Sequence, residues 1–293
     1  QFLQIFRFSL MLTLNLLEES CQVMTSISEH KLKVTIKKLT KIALTIVFWL
    51  GLWLIVYNVV GLDVLIASPI DVGKRLLEFL PSGEFWLTIF NSFKGISLGY
   101  IIGVVIGSIF GIITAFSSTL NTLFKPFLTA VKTTPVVSFI ILALIWLDKV
   151  SVPIFITMLM VMPVVWANVT NSIVNTDKSL IEMANAYNFG FWKKLKLIFL
   201  PSAVPAFVSA CKTAVGLGWK AGIAAEVLCT PQNSIGINLR NSQVYIETVD
   251  LFAWTVVVII LSLVLEKLLV AILDLCFKKI MSKGGYFIEN TDK

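Results

Sequence analysis

Runs of about twenty apolar residues recur along this chain, and a hydrocarbon core roughly 30 Å thick needs about that many per crossing helix. Ile42–Val60, Phe93–Phe116, Phe127–Leu147, Val152–Val174 and Leu251–Leu273 meet the length. Lys132 and Pro135 break the third, and the last carries Glu266 and Lys267. A sixth run, Val204–Leu228, holds Lys212, Lys220 and Glu226 yet is still long enough to span. With 57% hydrophobic residues, 14% charged and a mean hydropathy of +0.89, the 293-residue chain lies outside the range of soluble globular domains. The expected fold is an all-α integral membrane protein with about six transmembrane helices.

Basic residues orient such a chain, because short loops rich in Lys and Arg stay on the cytoplasmic side. Lys31, Lys33, Lys37, Lys38 and Lys41 precede the first run, Lys125 follows the second, Lys178, Lys193, Lys194 and Lys196 lie between the fourth and fifth, and Lys278, Lys279 and Lys283 follow the sixth. The opposite loops hold Lys74, Arg75, Lys149 and Arg240. Both termini are therefore expected in the cytoplasm, and the net charge of +7 is explained by topology without a nucleic-acid partner. The expected organisation is an N-terminal extension and basic flank (1–41), a first span (42–60), an external segment (61–92), a membrane core (93–277) containing a cytoplasmic loop at 175–201, and a tail (278–293).

Gln1–Leu17 is apolar but lacks the basic cluster that precedes a signal peptide. It fits a surface-lying segment, a short extra span, or an upstream extension absent from the natural product. We expect the last, since Met24 opens a polar stretch leading into the Lys-rich flank. Cys21, Cys211, Cys229 and Cys276 have no CxxC spacing, and His30 is the single histidine, which leaves little for a metal site or a histidine-dependent hydrolase. No GxxxxGK[ST] loop is present and no GxGxxG follows a strand, so no cofactor or nucleotide site is expected in this chain.

The loop Asn175–Pro205 is too long and too patterned for a connector. Thr176 or Asp177 can cap a helix in which Leu180, Met183, Ala184 and Tyr187 form one apolar stripe. That helix should stop near Asn188-Phe189-Gly190, where Asn and Gly enter the left-handed conformation at low cost, and a second basic helix, Phe191–Leu197, should feed Leu200-Pro201. An interfacial helix lying on lipid has the same pattern, with Trp192 and the lysines at headgroup level.

Residue order separates these readings. Glu182-Met183-Ala184, then Asn188, Ile198 and Leu200-Pro201, resembles the EAA signature E-A-A-x3-G-x9-I-x-L-P of binding-protein-dependent ABC importer permeases. Met183 stands for the first Ala and Asn188 for the Gly, with Gly190 a second candidate for the turn. The order of elements from Leu65 to Leu273 is also similar, with Ala67-Ser68-Pro69 before the second run, glycines at 95, 99, 103, 107 and 111, Thr134-Pro135 in the third and Leu200–Pro205 opening the fifth. Gly216-Leu217-Gly218-Trp219-Lys220 through Leu228 looks most like the nitrate/sulfonate/taurine branch.

The resemblance implies a type I ABC importer permease in the cell membrane, working by alternating access. Its implied partners are two soluble ATPase subunits carrying ATP-Mg, a second permease copy in a homodimer, and an external solute-binding protein meeting Ala67–Trp86 and Thr230–Asp250. Glu182, Met183, Ala184, Tyr187, Asn188, Gly190, Leu200 and Pro201 would couple to the ATPase. The solute would be a small anion or organic molecule, and the chain itself would be no enzyme. A secondary carrier without an ATPase, or a membrane-embedded assembly protein or enzyme, remains the alternative.

An ionisable group within a span costs about 2.5–3.5 kcal/mol on insertion scales and tends to face a cavity or a partner. Lys132, Pro135, Lys220 and Glu226 are therefore candidates for a translocation pathway. The competing reading has Lys132 and Lys212 snorkelling to headgroups and Lys220 paired with Glu226. The glycine ladder lets helix backbones approach closely, either within the subunit or between copies.

Overall fold

The computed structural model describes residues 37, 40, 41 and 43–284, with side chains as far as Leu273. The extension Gln1–Leu17, Cys21, His30, Lys31, Lys33 and Lys38 fall outside the described residues, as do the side chains of Cys276 and the tail lysines. Every regular element among the described residues is helical.

The chain divides into two units, residues 1–69 and 70–293. In the first, α1 (Ala43–Val60) matches the expected first span. It ends where Gly61, at φ +62°, donates its N–H to the Tyr57 carbonyl (2.9 Å), a left-handed cap that costs glycine little. Tyr57 then holds Asp63 (2.8 Å), and Trp53 Nε1 donates to the Ala67 carbonyl (3.1 Å).

The second unit begins with α2 (Pro69–Phe79) and α3 (Gly83–Ala115). Residues 83–92, expected in the external segment, already belong to α3. Ser82 caps its N-terminus by accepting from the Phe85 N–H, and Glu84 favours the positive end of the helix dipole, signals that a hydropathy scan does not register. Arg75 of α2 makes a two-pronged bond to Asp250 (2.7 and 2.8 Å), and Phe79 stacks among Phe85 and Trp254.

The third expected span is two helices. α4 (Ser118–Thr133) and α5 (Val136–Trp146) meet at 104°. Pro135 disfavours helical backbone at the residue before it, and Thr134 is accordingly extended at ψ 135°. α6 (Ser151–Val174) is the most enclosed long helix, packed between α3 and α8 (Phe191–Cys229). In chain order α7 (Lys178–Ala186) lies between α6 and α8, and α9 (Ile235–Val244) and α10 (Thr248–Gly284) complete the unit.

The glycine ladder joins α3 to α6 inside the subunit. A Cβ on Gly99 would lie 2.3 Å from the Ile154 carbonyl oxygen, on Gly103 2.9 Å from that of Met158, on Gly107 2.6 Å from that of Met162, and on Gly111 2.8 Å from Val169 Cβ. Contacts advance together along both helices, so α3 and α6 run parallel. Gly95 is outside the close seam, 3.9 Å from Ile154 Cγ1. Packing is the main force between helices in lipid, and four small residues on one face put two backbones in contact. At the Ala115 end Trp166 Nε1 donates to Thr114 Oγ1 (2.8 Å) and Thr170 donates to the Gly111 carbonyl (3.0 Å).

Candidate functional site

Helix α7 occupies the patterned loop. Asp177 caps it, its carboxylate accepting from the Ser179 N–H at 2.9 Å, and this bond holds the Asp177 carboxyl below the usual aspartate range. The helix ends in a two-bond closure: the Phe189 N–H reaches the Ala184 carbonyl (2.8 Å) and the Asn188 N–H that of Asn185 (3.0 Å). Asn188 sits at φ +51° to make it. Gly190 has φ −65° and takes no left-handed role. The turn therefore belongs to Asn188 alone.

Of the apolar stripe, Ala184 is fully buried, while Leu180, Met183 (45% exposed) and Tyr187 (73% exposed) face outward with Glu182. Such an outward apolar face on an amphipathic helix is chemically suited to a groove on another protein. The helix is braced to the start of α8. Lys194 Nζ donates to the Asn185 side-chain oxygen, and Lys193 Nζ lies 4.0 Å from the Phe189 ring centroid.

The second basic helix, expected over Phe191–Leu197, does not end before Leu200-Pro201 but runs on into the fifth span as α8, 39 residues from Phe191 to Cys229. Leu195–Phe199 is wound as a π segment, with the Leu200 N–H reaching back five residues to Leu195. Pro201 has no N–H and its ring crowds the preceding turn, and one wider turn absorbs this without breaking the helix. Leu200 is exposed, Pro201 half-buried and Ile198 buried. Phe116 at the end of α3 meets Phe191 and Phe199 edge-on, with centroids 5.4 and 5.1 Å away.

Lys132 and Lys220 line one cavity of about 390 Å³, whose walls are otherwise largely apolar, with Met160, Pro163 and Leu217 among them. It sits in the bend between α4 and α5, closed by α6 and α8. Thr134 and Val136 line it; Pro135, between them, makes the bend and is not itself a wall.

Glu226 is elsewhere. It is 3% exposed, and one carboxylate oxygen accepts from Ser92 Oγ (2.7 Å) and from the Gly236 N–H (3.2 Å), while Ser92 Oγ accepts from the Ile235 N–H (2.9 Å). The pairing of Lys220 with Glu226 does not form, since six residues of helix set them about 120° apart. Gly236 permits the arrangement, because a Cβ there would lie 2.3 Å from the Glu226 backbone.

Sequence alone assigns no role to Ser92, Asn185 or Gly236, and it places Phe189 only near the turn and Lys193 and Lys194 only among the basic loop residues. The partners are far apart in the chain or belong to a turn whose closure is visible only in three dimensions. Gly236 beside a Ser234 cap was the one local clue.

The profile of the family described as "Binding-protein-dependent transport system inner membrane component" matches residues 95–280. The chain is 25% identical over 192 residues to "Putative aliphatic sulfonates transport permease protein SsuC" of Bacillus subtilis, covering 65% of this chain and 69% of that one. The protein of the same name from Escherichia coli is 29% identical over 206 residues, 70% of this chain and 76% of that one. "Taurine transport system permease protein TauC" of Escherichia coli is 22% identical over 205 residues, 68% and 74% of the two chains.

Proposed function

Because the chain belongs to the family of binding-protein-dependent transport system inner membrane components, the multi-pass permease subunits of ATP-driven importers, we propose that it carries a small anion and is driven through α7. Membership of a binding-protein-dependent transport family favours this reading over a secondary carrier or a membrane enzyme. Such permeases work with an ATPase and a solute-binding protein.

The observation that carries the coupling reading is α7 itself, with an outward face of Glu182, Met183 and Tyr187, a buried Ala184, and a closure at Asn188 that braces it onto the 39-residue α8. A groove on an ATPase subunit fits that face. Two such subunits, carrying ATP-Mg, would act on two copies of this chain arranged as a homodimer, with both termini and α7 in the cytoplasm. Leu200 and Pro201, beside the π segment, would pass the motion into α8, and Gly190 would join the two helices. The external binding protein would meet the segments around α2 and α9.

The Lys132–Lys220 cavity supports the anion reading. Two cationic side chains in a largely apolar pocket of about 390 Å³ suit a sulfonate-like ion with a short apolar body, as the relatives' names suggest. Pro135 shapes this pocket, and Glu226 supports the span from outside it.

Glu182→Arg tests the coupling. Glu182 is exposed, so the variant should fold and reach the membrane while losing copurification with the ATPase and losing uptake. Retention of both would refute the reading.

A further inference from the structure

A second cleft, of about 400 Å³, opens at the α7 end of α6. Asn168, Asn171 and Asn175 line it together with Ser172, Thr176 and Asp177. Asn168 returns an N–H to the Val164 carbonyl (2.8 Å), so its carboxamide oxygen and second N–H are left for the cleft. Asn171 and Asn175 have no side-chain hydrogen bond among the described residues, and all three asparagines are exposed.

These amides continue a face that begins in the first cavity. Met160 and Val164 line the Lys132–Lys220 pocket, and at 100° per residue Met160, Val164, Asn168, Asn171 and Asn175 fall within an arc of about 80°. At 1.5 Å per residue the face runs about 22 Å along α6, most of the thickness of a bilayer core. Unpaired amides on a spanning helix are costly against lipid, so they turn toward water or toward protein. An amide N–H donates to oxyanion acceptors without fixing them as tightly as a lysine would, which suits a route more than a binding site.

We propose that Asn168, Asn171 and Asn175 form the inner half of the solute route, a ladder of neutral donors along which an oxyanion leaves the Lys132–Lys220 cavity and emerges beside Asp177 and Leu180 at the start of α7. This rests on reading that cavity as part of the pathway. It also places the exit against the element that the ATPase would move, so α7 and the inner opening share one wall.

Asn168→Cys, Asn171→Cys and Asn175→Cys, each alone in a background lacking Cys21, Cys211, Cys229 and Cys276, test it in inside-out vesicles holding the complete transporter. The probes are two impermeant methanethiosulfonates, one carrying a sulfonate and one a quaternary ammonium, each normalised to its rate with a free thiol. All three positions should react. The anionic reagent should hold at least about a fivefold advantage at Asn168→Cys, the position nearest the two lysines, and lose it toward Asp177 at the mouth of the cleft. ATP with vanadate should change the rates, and Asn171→Asp should abolish the anionic advantage at Asn168→Cys. Ile259→Cys, half-exposed on α10, should stay unreactive.

Unreactive ladder positions beside a reactive Lys220→Cys would overturn the ladder and leave the cavity standing. An unreactive Lys220→Cys in every state would remove both. Disulfides between two copies at 171 or 175, without reagent access, would make this face a contact between subunits and refute the route. Copurification with the ATPase shows that each variant is assembled, and three independent positions keep the test decisive if one variant does not assemble.

Discussion

Replacing Gly99 with Ala adds one methyl where none fits. Its Cβ would stand 2.3 Å from the Ile154 carbonyl oxygen and 2.9 Å from Thr157 Cβ, and the first of these is backbone, which no rotamer change can move aside. Reaching ordinary contact requires α3 and α6 to part by about 1 Å there, which forfeits a quarter to a half of each dispersion contact nearby. Overpacking of this kind costs about 1–3 kcal/mol, against roughly 0.8–1 kcal/mol that Ala gains over Gly in a helix interior. The matched control is Gly95→Ala, one turn earlier on the same helix, where the new methyl meets only Ile154 Cγ1 at 3.9 Å. The control should be neutral or stabilised by up to about 1 kcal/mol and Gly99→Ala destabilised by up to about 2 kcal/mol, a separation of about 1–3 kcal/mol. Paired thermal unfolding of the two purified variants in detergent reads this as a melting temperature several degrees lower for Gly99→Ala. Equal melting temperatures would refute the close α3–α6 seam.

Other substitutions probe the remaining joints. Glu226→Gln keeps a carbonyl oxygen for Ser92 and Gly236 and should be tolerated, whereas Glu226→Ala strands both donors and should cost about 3 kcal/mol, read as faster proteolysis between α8 and α9. Asn188→Gly should preserve ATPase coupling, while Asn188→Val, forced into the left-handed region, should cost at least about 1–2 kcal/mol and uncouple hydrolysis from uptake. Ile246, at φ +60° in the closure after α9, should gain about 1 kcal/mol as Ile246→Gly, measured by the same melting assay. The Asp177 carboxyl is held below its ordinary value of 3.8 by the α7 cap, so its contribution is complete above that value and disappears as the pH falls through the lower folded value. Protection of the α7 amides from hydrogen exchange, taken relative to the intrinsic rate at each pH, should therefore be constant around neutral pH and fall only in acid, and Asp177→Asn should remove the acid step.

The crossing helices were legible from the chain because the bilayer imposes a length, and an apolar run of about twenty residues meets it whatever its neighbours are. α7 and its turn were legible because capping and left-handed closure are local, so that Asp177 and Asn188 carry their signals within a few residues. Contacts between distant parts of the chain left no such mark. A glycine ladder looks the same whether it packs within a subunit or between copies, and only the backbones of Ile154, Met158 and Met162 against it decide the matter. Glu226 looked like a partner for Lys220 because both are ionisable and near in sequence. Ser92 and Gly236 claim it instead, since a buried carboxylate takes the donors that the fold brings to it. The 104° bend at Pro135 has the same origin: proline announces a break, but the angle is set by what α4 and α5 pack against. Sequence alone thus determined the elements that answer to lipid and to local backbone chemistry. Tertiary structure decided which faces meet, which charges share a cavity, and how α7 is tied to the longest span.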